Sequence, residues 1–336
     1  MEYDIKNILA NKEIFNSYLS TKKSDLTKSE LKFYNKIIDN NKNISSQKSE
    51  IIHKILDDCS LIYKSLLPLY KLNVHFSLAI AGGLVREIAS NKPTEIKDID
   101  IILSVIMPKL TIKDMYQEWG FEALKYNWLA TSKVGLSSKE KTYHIVKFLL
   151  EKDHIISHGY SPNKENKEDL IEKHSEYLVR DLNGVIKIES PNLNYPIDIL
   201  ITNNSPEKFI SNFDFNICQG LINLVKKENT IQNTFDFPLN DRDFLNRILA
   251  NKLFIKDLKN KTISMYLDYR SVNDINRSID KHLPRILKKY PDYSVIFELN
   301  EKIAISYKEK QTIVNHYHLQ KEIGAIEKPM KKIKKI

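Results

Sequence analysis

The sequence predicts an α+β fold in which a mixed-sheet head is followed by a helical C-terminal part. Short apolar, often β-branched runs lie between residues 76 and 202, as is typical of buried strands. From residue 216 onward, apolar side chains recur at three- and four-residue steps, which indicates amphipathic helices. The 336 residues are 42% hydrophobic, which is enough for one large domain or two smaller ones, each with its own core.

The chain divides into four predicted regions. Residues 1–50 are polar and predict a mobile or loosely packed helical extension. Residues 51–215 are expected to form the head and residues 216–327 the helical part. Residues 328–336 form a basic tail with five lysines and no acidic residue.

Apolar spacing predicts the individual elements of the head and of the helical part. The predicted helices of the head are 51–70, 84–90 and 112–124, and its predicted strands are 76–81, 99–106 and 195–202. Asn183-Gly184 lies between two extended runs within 179–188, which predicts a β-hairpin turn there. In the C-terminal part, helices are predicted at 217–225, 244–258, 263–287 and 295–319.

The charge balance favours a polyanionic partner. The formal net charge is +9 and the isoelectric point about 9.1. The five tail lysines account for much of this excess, and a solvated tail explains them as well as a binding element does. Five of the seven arginines lie between residues 242 and 285. Because a guanidinium fork suits phosphates, this cluster indicates either phosphate binding or ion pairing between packed helices.

Composition also bears on the compartment. No run of about 18 apolar residues occurs, so no membrane-spanning helix is expected. Two cysteines cannot supply a disulfide framework, and the first residues carry acids rather than the apolar stretch of a signal peptide. We therefore expect a cytoplasmic protein.

A glycine pair marks the end of the first predicted strand. Gly82-Gly83 is the only adjacent pair among eight glycines, and it lies between strand 76–81 and helix 84–90. Without side chains, the backbone N–H groups of such a turn can approach a phosphate closely. Taken alone the pair is a weak signal, because ordinary turns explain most glycine pairs.

Three aspartates in apolar, strand-forming surroundings strengthen this signal. Asp98 and Asp100 are two residues apart, so on a strand they share one face while their isoleucine neighbours face the core. Two carboxylates on one face repel each other unless a cation lies between them. Asp198 stands alone inside another apolar run, where it is either a third metal ligand or a member of a structural salt bridge.

These motifs resemble the head domain of the DNA polymerase β superfamily of nucleotidyltransferases, and most closely CCA-adding tRNA nucleotidyltransferases and bacterial poly(A) polymerases. The resemblance rests on Ala81-Gly82-Gly83-Leu84-Val85-Arg86-Glu87 and on Lys97-Asp98-Ile99-Asp100-Ile101. The segment 213–218 is similar to a further motif of that family. The interval between Asp100 and Asp198 is longer than in the family, which implies an insertion at about residues 125–180.

The resemblance implies a two-metal transferase that moves a nucleoside monophosphate from ATP or CTP to an RNA 3′ end, with tRNA as the leading candidate. Asp98, Asp100 and Asp198 would bind two Mg²⁺ ions. The implied nucleotide-binding residues are Gly82, Gly83, Arg86, Asp214, Asn216 and Arg247. Arg86 is expected to contact phosphate or to form a salt bridge with an acidic neighbour, and Asp214 to bind a ribose hydroxyl or to brace the strands.

Three residues of the C-terminal part are candidates for contacts to RNA. Arg270 and Arg277 fall on one helical face, with Tyr269 beside them, and this face is suited either to the RNA backbone and bases or to ordinary helix packing. Two further hypotheses remain open at this point. The acceptor is a protein or a small molecule rather than RNA, or the head is catalytically inactive and serves as an RNA-binding module.

Overall fold

The computed structural model describes slightly more than half of the chain, in ranges separated by gaps. The described residues are 26–39, 46–71, 74, 76–90, 96–105, 138–160, 182–211, 213–224, 244, 248–250, 252–266, 272–299 and 303–306. The helices are α1 (Lys28–Asp39), α2 (Ser46–Leu66), α3 (Pro68–Lys71), α4 (Gly83–Ala89), α5 (Ser138–Glu151), α6 (Pro206–Ile210), α7 (Lys252–Asn260), α8 (Val272–Arg277) and α9 (Leu283–Lys289). A 3₁₀ turn (Asn216–Cys218) and a π-helical turn (Ser278–His282) complete them.

Ten strands lie within these ranges. They are β1 (Phe76–Ala81), β2 (Ile99–Val105), β3 (Ile156–Tyr160), β4 (Leu182–Ile188), β5 (Ile197–Thr202), β6 (Gly220–Asn223), β7 (Ile248–Ala250), β8 (Thr262–Tyr266), β9 (Ser294–Leu299) and β10 (Ile303–Ser306). Seven of them form one sheet in the order β3-β4-β5-β2-β1-β6-β7. Only β2 and β5 run parallel in it, and all its other neighbours are antiparallel. The predicted α+β class with a mixed sheet is confirmed.

Beyond residue 216 the elements differ from the prediction. The segments predicted as helices at 217–225, 244–258, 263–287 and 295–319 contain or overlap the strands β6, β7, β8, β9 and β10. The helices α7, α8 and α9 also lie largely within these segments. Strands β6 and β7 extend the main sheet, so this sheet crosses the boundary expected at residue 216. Short runs of isoleucine, leucine and valine are compatible with the helical period and with the strand period. Here the segment forms a strand because β6 pairs with the edge of β1.

The predicted hairpin turn at Asn183-Gly184 is also wrong. Both residues lie inside β4, where the pairing with β5 shifts between Leu182 and Gly184. A Cβ atom on Gly184 would collide with the ring of Tyr143 from α5. The glycine is therefore required by helix-on-sheet packing at a β-bulge, rather than by a turn.

The two faces of the main sheet bury different clusters. One face packs against α2, α4 and α5 through side chains such as Ile80, Ile101 and Ile199. The other face carries Ile102 and Leu200, which α6 covers with Phe209. Because alternate residues of a strand face opposite sides, Asp100 and Asp198 share the second face with Ile102 and Leu200.

The N-terminal region is packed where it is described. Tyr34 and Ile37 of α1 belong to the main core, and the Tyr34 hydroxyl donates to the carbonyl oxygen of Ile248 over 2.8 Å. This differs from the loose extension predicted for residues 1–50, because α1 lies against α7 and the β7 edge. The predicted helix 112–124, much of the insertion at 125–180 and the tail 328–336 lie outside the described residues. No helix within the described ranges is long and apolar enough to cross a membrane.

A buried carboxylate fixes the entry to β5. Asp58 of α2 is fully buried, and one of its oxygens accepts from the backbone N–H and the side-chain amide of Asn194, both at 2.9 Å. Its other oxygen accepts from the N–H of Tyr195 at 3.0 Å. These bonds hold the loop that leads directly into β5, and thereby the position of Asp198.

Replacement of this carboxylate should destabilise the whole protein. In Asp58→Ala, the partly buried N–H groups of Asn194 and Tyr195 lose their acceptor, which costs about 1–3 kcal/mol of unfolding free energy. Urea denaturation followed by circular dichroism measures this loss. Asp57→Ala, an exposed neighbour on the same helix, is the control and should stay within about 0.5 kcal/mol of the wild type. Equal stability of the two variants would contradict the role of Asp58.

Candidate active site

Two of the predicted aspartates face each other across the parallel strand pair. Asp100 of β2 and Asp198 of β5 are register partners, on strands that lie about 4.8 Å apart. Buried isoleucines flank each of them along its strand, so the carboxylates leave the same face of the sheet. Chain segments almost 100 residues apart thus bring two acidic groups together.

A lysine continues this row of side chains. Lys187 of β4 is the register partner of Asp198, and its Nζ atom lies 3.2 Å from Oε1 of Glu189. Burial by itself lowers the pKa of Lys187, but the hydrogen bond to Glu189 and the charges of Asp198, Glu189 and Asp98 outweigh it, so the pKa is raised. Its positive charge therefore partly compensates the aspartates. The sequence analysis did not identify Lys187 as a site residue, although its position on one face of β4 is a signal for such a role.

The glycine turn lies directly beside Asp100. Ala81, the last residue of β1, is the register partner of Asp100, and Gly82 follows it with φ 73° and ψ −141°. This combination is essentially confined to glycine. In addition, a Cβ atom on Gly82 would lie 2.8 Å from Oδ2 of Asp100. At this turn, the backbone therefore approaches the Asp100 carboxylate more closely than a residue with a side chain would allow.

A small cleft of about 100 Å³ opens at this turn. Its lining includes Gly83, Arg86, Glu87, Asp98, Asp100 and Lys289. We call it the aspartate cleft. It combines carboxylates, which suit a hard divalent cation, with cationic side chains, which suit phosphate oxygens.

Asp98 takes a different position from the other two aspartates. It is exposed, just before β2 begins, and lines the aspartate cleft with Asp100. Within the described ranges, no group of three or more His, Cys, Asp or Glu side chains lies close enough together to hold a metal ion. The donor chemistry fits Mg²⁺, but Asp98, Asp100 and Asp198 do not converge into one cluster here.

Arg86 lies at the base of the cleft and points largely inward. It is only 5% exposed, Nη1 donates to Sγ of Cys218 at 3.1 Å, and its Cζ atom lies 5.1 Å from the centre of the Tyr290 ring. Burial lowers the pKa of Arg86, whereas Cys218, Tyr290 and Glu87 raise it and outweigh the burial. The guanidinium therefore remains charged, with most of its surface already packed.

Asp214 and Asn216 are buried and do not line the aspartate cleft. Oδ2 of Asp214 lies 2.6 Å from Nδ1 of His282 in the π-helical turn, and Oδ1 accepts from the N–H of Phe215 at 2.9 Å. Asn216 is 2% exposed and begins the 3₁₀ turn. The contact between Asp214 and His282 braces the structure, because it connects the segment before β6 to the C-terminal elements. A nucleotide contact by Asp214 or Asn216 stays a prediction.

The remaining candidates are only partly placed. Arg277 is the last residue of α8 and is half-buried. Arg247, Tyr269 and Arg270 lie outside the described residues. Their expected contacts to nucleotide and RNA therefore stay predictions.

Fold and site together define an α+β protein with a cleft that is lined by carboxylates and by cationic side chains. No protein-family model and no curated protein matches the sequence. Among solved structures, the chain is similar to the Thermotoga maritima CCA-adding enzyme complexed with tRNA (13% identity, TM-score 0.36, 87% of this chain and 46% of that one). It is also similar to a CCA-adding enzyme with ATP (15%, 0.37, 86% and 45%) and to a tRNA nucleotidyltransferase with a primer tRNA and an ATP analogue (13%, 0.29, 65% and 47%).

These structures are of the class that the sequence motifs resemble. The chain spans less than half the length of each of the three. At 13–15% identity and TM-scores of 0.29–0.37, this likeness assigns no function to the chain.

Proposed function

We propose that the protein is a Mg²⁺-dependent nucleotidyltransferase that transfers a nucleoside monophosphate from ATP or CTP to an RNA 3′ end and releases pyrophosphate. The observation that carries the proposal is the pairing of Asp100 with Asp198 in register, beside the glycine turn. Two facing carboxylates next to a side-chain-free backbone turn suit a cation and the phosphates that it binds.

Each residue of the site has a role in this proposal. Asp100 and Asp198 hold Mg²⁺, and Asp98 joins them from its exposed position, where packing does not prevent its side chain from turning. Held by these carboxylates, Mg²⁺ would supply positive charge to the phosphates and would make a nearby hydroxyl more acidic. Backbone N–H groups at Gly82 and Gly83 orient the triphosphate. Asp198 lies on the side away from the turn and orients the attacking 3′ hydroxyl.

Charge favours RNA as the acceptor. The whole chain carries a net charge of +9, and the described C-terminal helices expose Lys281 and Arg285. Such side chains bind a phosphate backbone without regard to sequence. Among RNA molecules, tRNA is the candidate that the motif resemblance favours. The cytoplasm is the proposed location, because RNA and nucleoside triphosphates meet there under reducing conditions.

Incorporation of labelled nucleotide tests this proposal. Purified protein, Mg²⁺ and total RNA are incubated with each α-³²P-labelled NTP in turn, and label is expected on RNA with ATP, CTP or both. Periodate-oxidised RNA, which has no 3′ diol, is the matched control and should remain unlabelled. Label on protein or on small molecules instead of RNA would show that the acceptor is not RNA. Absence of label with every NTP and acceptor would refute nucleotidyl transfer.

A further inference from the structure

A lysine from the C-terminal part reaches into the aspartate cleft. Lys289 is the last residue of α9, yet it lines the cleft together with Gly83, Asp98 and Asp100. Its Nζ atom forms an ion pair with Oε1 of Glu87, which lies on α4 directly after Arg86. Nothing in the sequence motifs pointed to this residue, which is about 200 positions from the glycine turn.

The end of α9 is fixed on α4, so this position of Lys289 is defined. The next residue, Tyr290, is 1% exposed, and its hydroxyl lies 3.1 Å from Oγ of Ser90 at the end of α4. The Tyr290 ring also packs over the Arg86 guanidinium. Because two consecutive residues, Lys289 and Tyr290, both contact α4, the lysine is held at the cleft rather than left on a mobile surface.

Lys289 is more accessible to a ligand than Arg86 is. The Lys289 side chain is 34% exposed, whereas Glu87 beneath it is 6% exposed and Arg86 only 5% exposed as a residue. An ammonium group carries three donors, and the pair with Glu87 accounts for one direction only. The part of the Lys289 ammonium group that faces the aspartate cleft is therefore suited to bind anionic oxygens.

We propose that Lys289, which pairs with Glu87 in this structure, binds the β- and γ-phosphates of the incoming nucleotide. This proposal rests on the proposed function, since it assigns a ligand to the same cleft. Asp100 and the glycine turn then lie at the reacting α-phosphate, and Lys289 at the leaving pyrophosphate. Charge-assisted contacts to phosphate are among the strongest hydrogen bonds in proteins, so the affinity should depend strongly on this side chain.

Ligand affinity in matched variants tests the assignment. Isothermal titration with Mg²⁺ and without acceptor is carried out with ATP, pyrophosphate and AMP. Lys289→Met, which keeps the length of the side chain, should weaken ATP and pyrophosphate binding about tenfold or more and leave AMP within about twofold. Lys288→Met, at the exposed neighbouring position of α9, is the control and should bind all three as the wild type does.

Variants of Glu87 distinguish ligand binding by Lys289 from a purely structural role of the Lys289–Glu87 ion pair. Glu87→Gln keeps its volume but removes the competing negative charge, so ATP should bind as tightly as in the wild type or more tightly. The double variant Glu87→Gln/Lys289→Met contains neither charge and avoids leaving a buried carboxylate alone, so it should fold and still bind ATP weakly. A thermal melt of each variant checks folding.

The outcomes distinguish this proposal from the proposed function. If the wild type binds ATP or CTP but Lys289→Met and the double variant bind it equally well, the assignment of Lys289 is wrong and nucleotidyl transfer stands. Equal weakening in Glu87→Gln and Lys289→Met would show a structural ion pair and would also overturn it. If the wild type binds neither nucleotide, the proposed function fails, and the assignment of Lys289 fails with it.

Discussion

Asp100→Asn is expected to abolish nucleotide incorporation, by about 10³-fold or more. The substitution keeps the size of the side chain but removes one of two facing negative charges, on which the binding of Mg²⁺ depends. Loss of several kcal/mol of metal-based stabilisation corresponds to about three powers of ten in rate. Single-turnover incorporation of labelled ATP or CTP into RNA measures the effect.

The fold of this variant should be intact or slightly more stable. Asp100 and Asp198 repel each other, so neutralising one of them relieves that repulsion in metal-free buffer. We therefore expect the midpoint of thermal unfolding without Mg²⁺ to be unchanged or raised. Asp292→Asn, in an exposed pair with Lys261, is the control for loss of a carboxylate and should retain full activity. Activity of Asp100→Asn near the wild-type level would refute the metal site.

Gly82→Ala is expected to cost both stability and activity. The backbone at Gly82 has φ 73° and ψ −141°, which costs about 1–3 kcal/mol for a residue with a side chain. The new Cβ atom would also lie 2.8 Å from Oδ2 of Asp100, so either the turn or the carboxylate must move. A displacement of about 1 Å at reacting groups can reduce the rate about 10²-fold.

The adjacent glycine provides the matched control for this prediction. A Cβ atom on Gly83 would have Nη2 of Arg86 at 3.4 Å as its nearest neighbour, and Gly83 is the first residue of α4. Gly83→Ala should therefore remain near the wild type in urea denaturation and lose far less activity than Gly82→Ala. Equal behaviour of the two variants would mean that neither the backbone conformation nor the contact to Asp100 matters.

Local sequence patterns predicted the elements that carry the site. The run 76–81 became β1, the isoleucine-flanked aspartates lie on β2 and β5, and the helix after the glycine pair is α4. Alternation alone placed Asp100 and its isoleucine neighbours on opposite faces, because a strand has a period of two. For such residues, the side chains of a few adjacent residues decide the secondary structure, and the sequence shows those residues directly.

The same kind of pattern failed where several structures fit one apolar run. Segments such as Thr262–Tyr266 and Ser294–Leu299 suit a helix or a strand, and their parallel pairing with each other decided for the strand. Asn183-Gly184 has the composition of a turn, but packing of Tyr143 over Gly184 placed it within β4. In both cases a partner distant in sequence outweighed the local preference.

By itself, the sequence determined that Asp100 and Asp198 stand on strands and where a glycine turn interrupts the chain, whereas Asp98 lies just before β2. Only the tertiary structure decided that Asp100 faces Asp198, that Lys187 adjoins them, and that Lys289 pairs with Glu87. The physical reason is that strand register and helix docking depend on contacts between separate elements, which here join residues 11 to 202 positions apart. No local periodicity encodes those contacts.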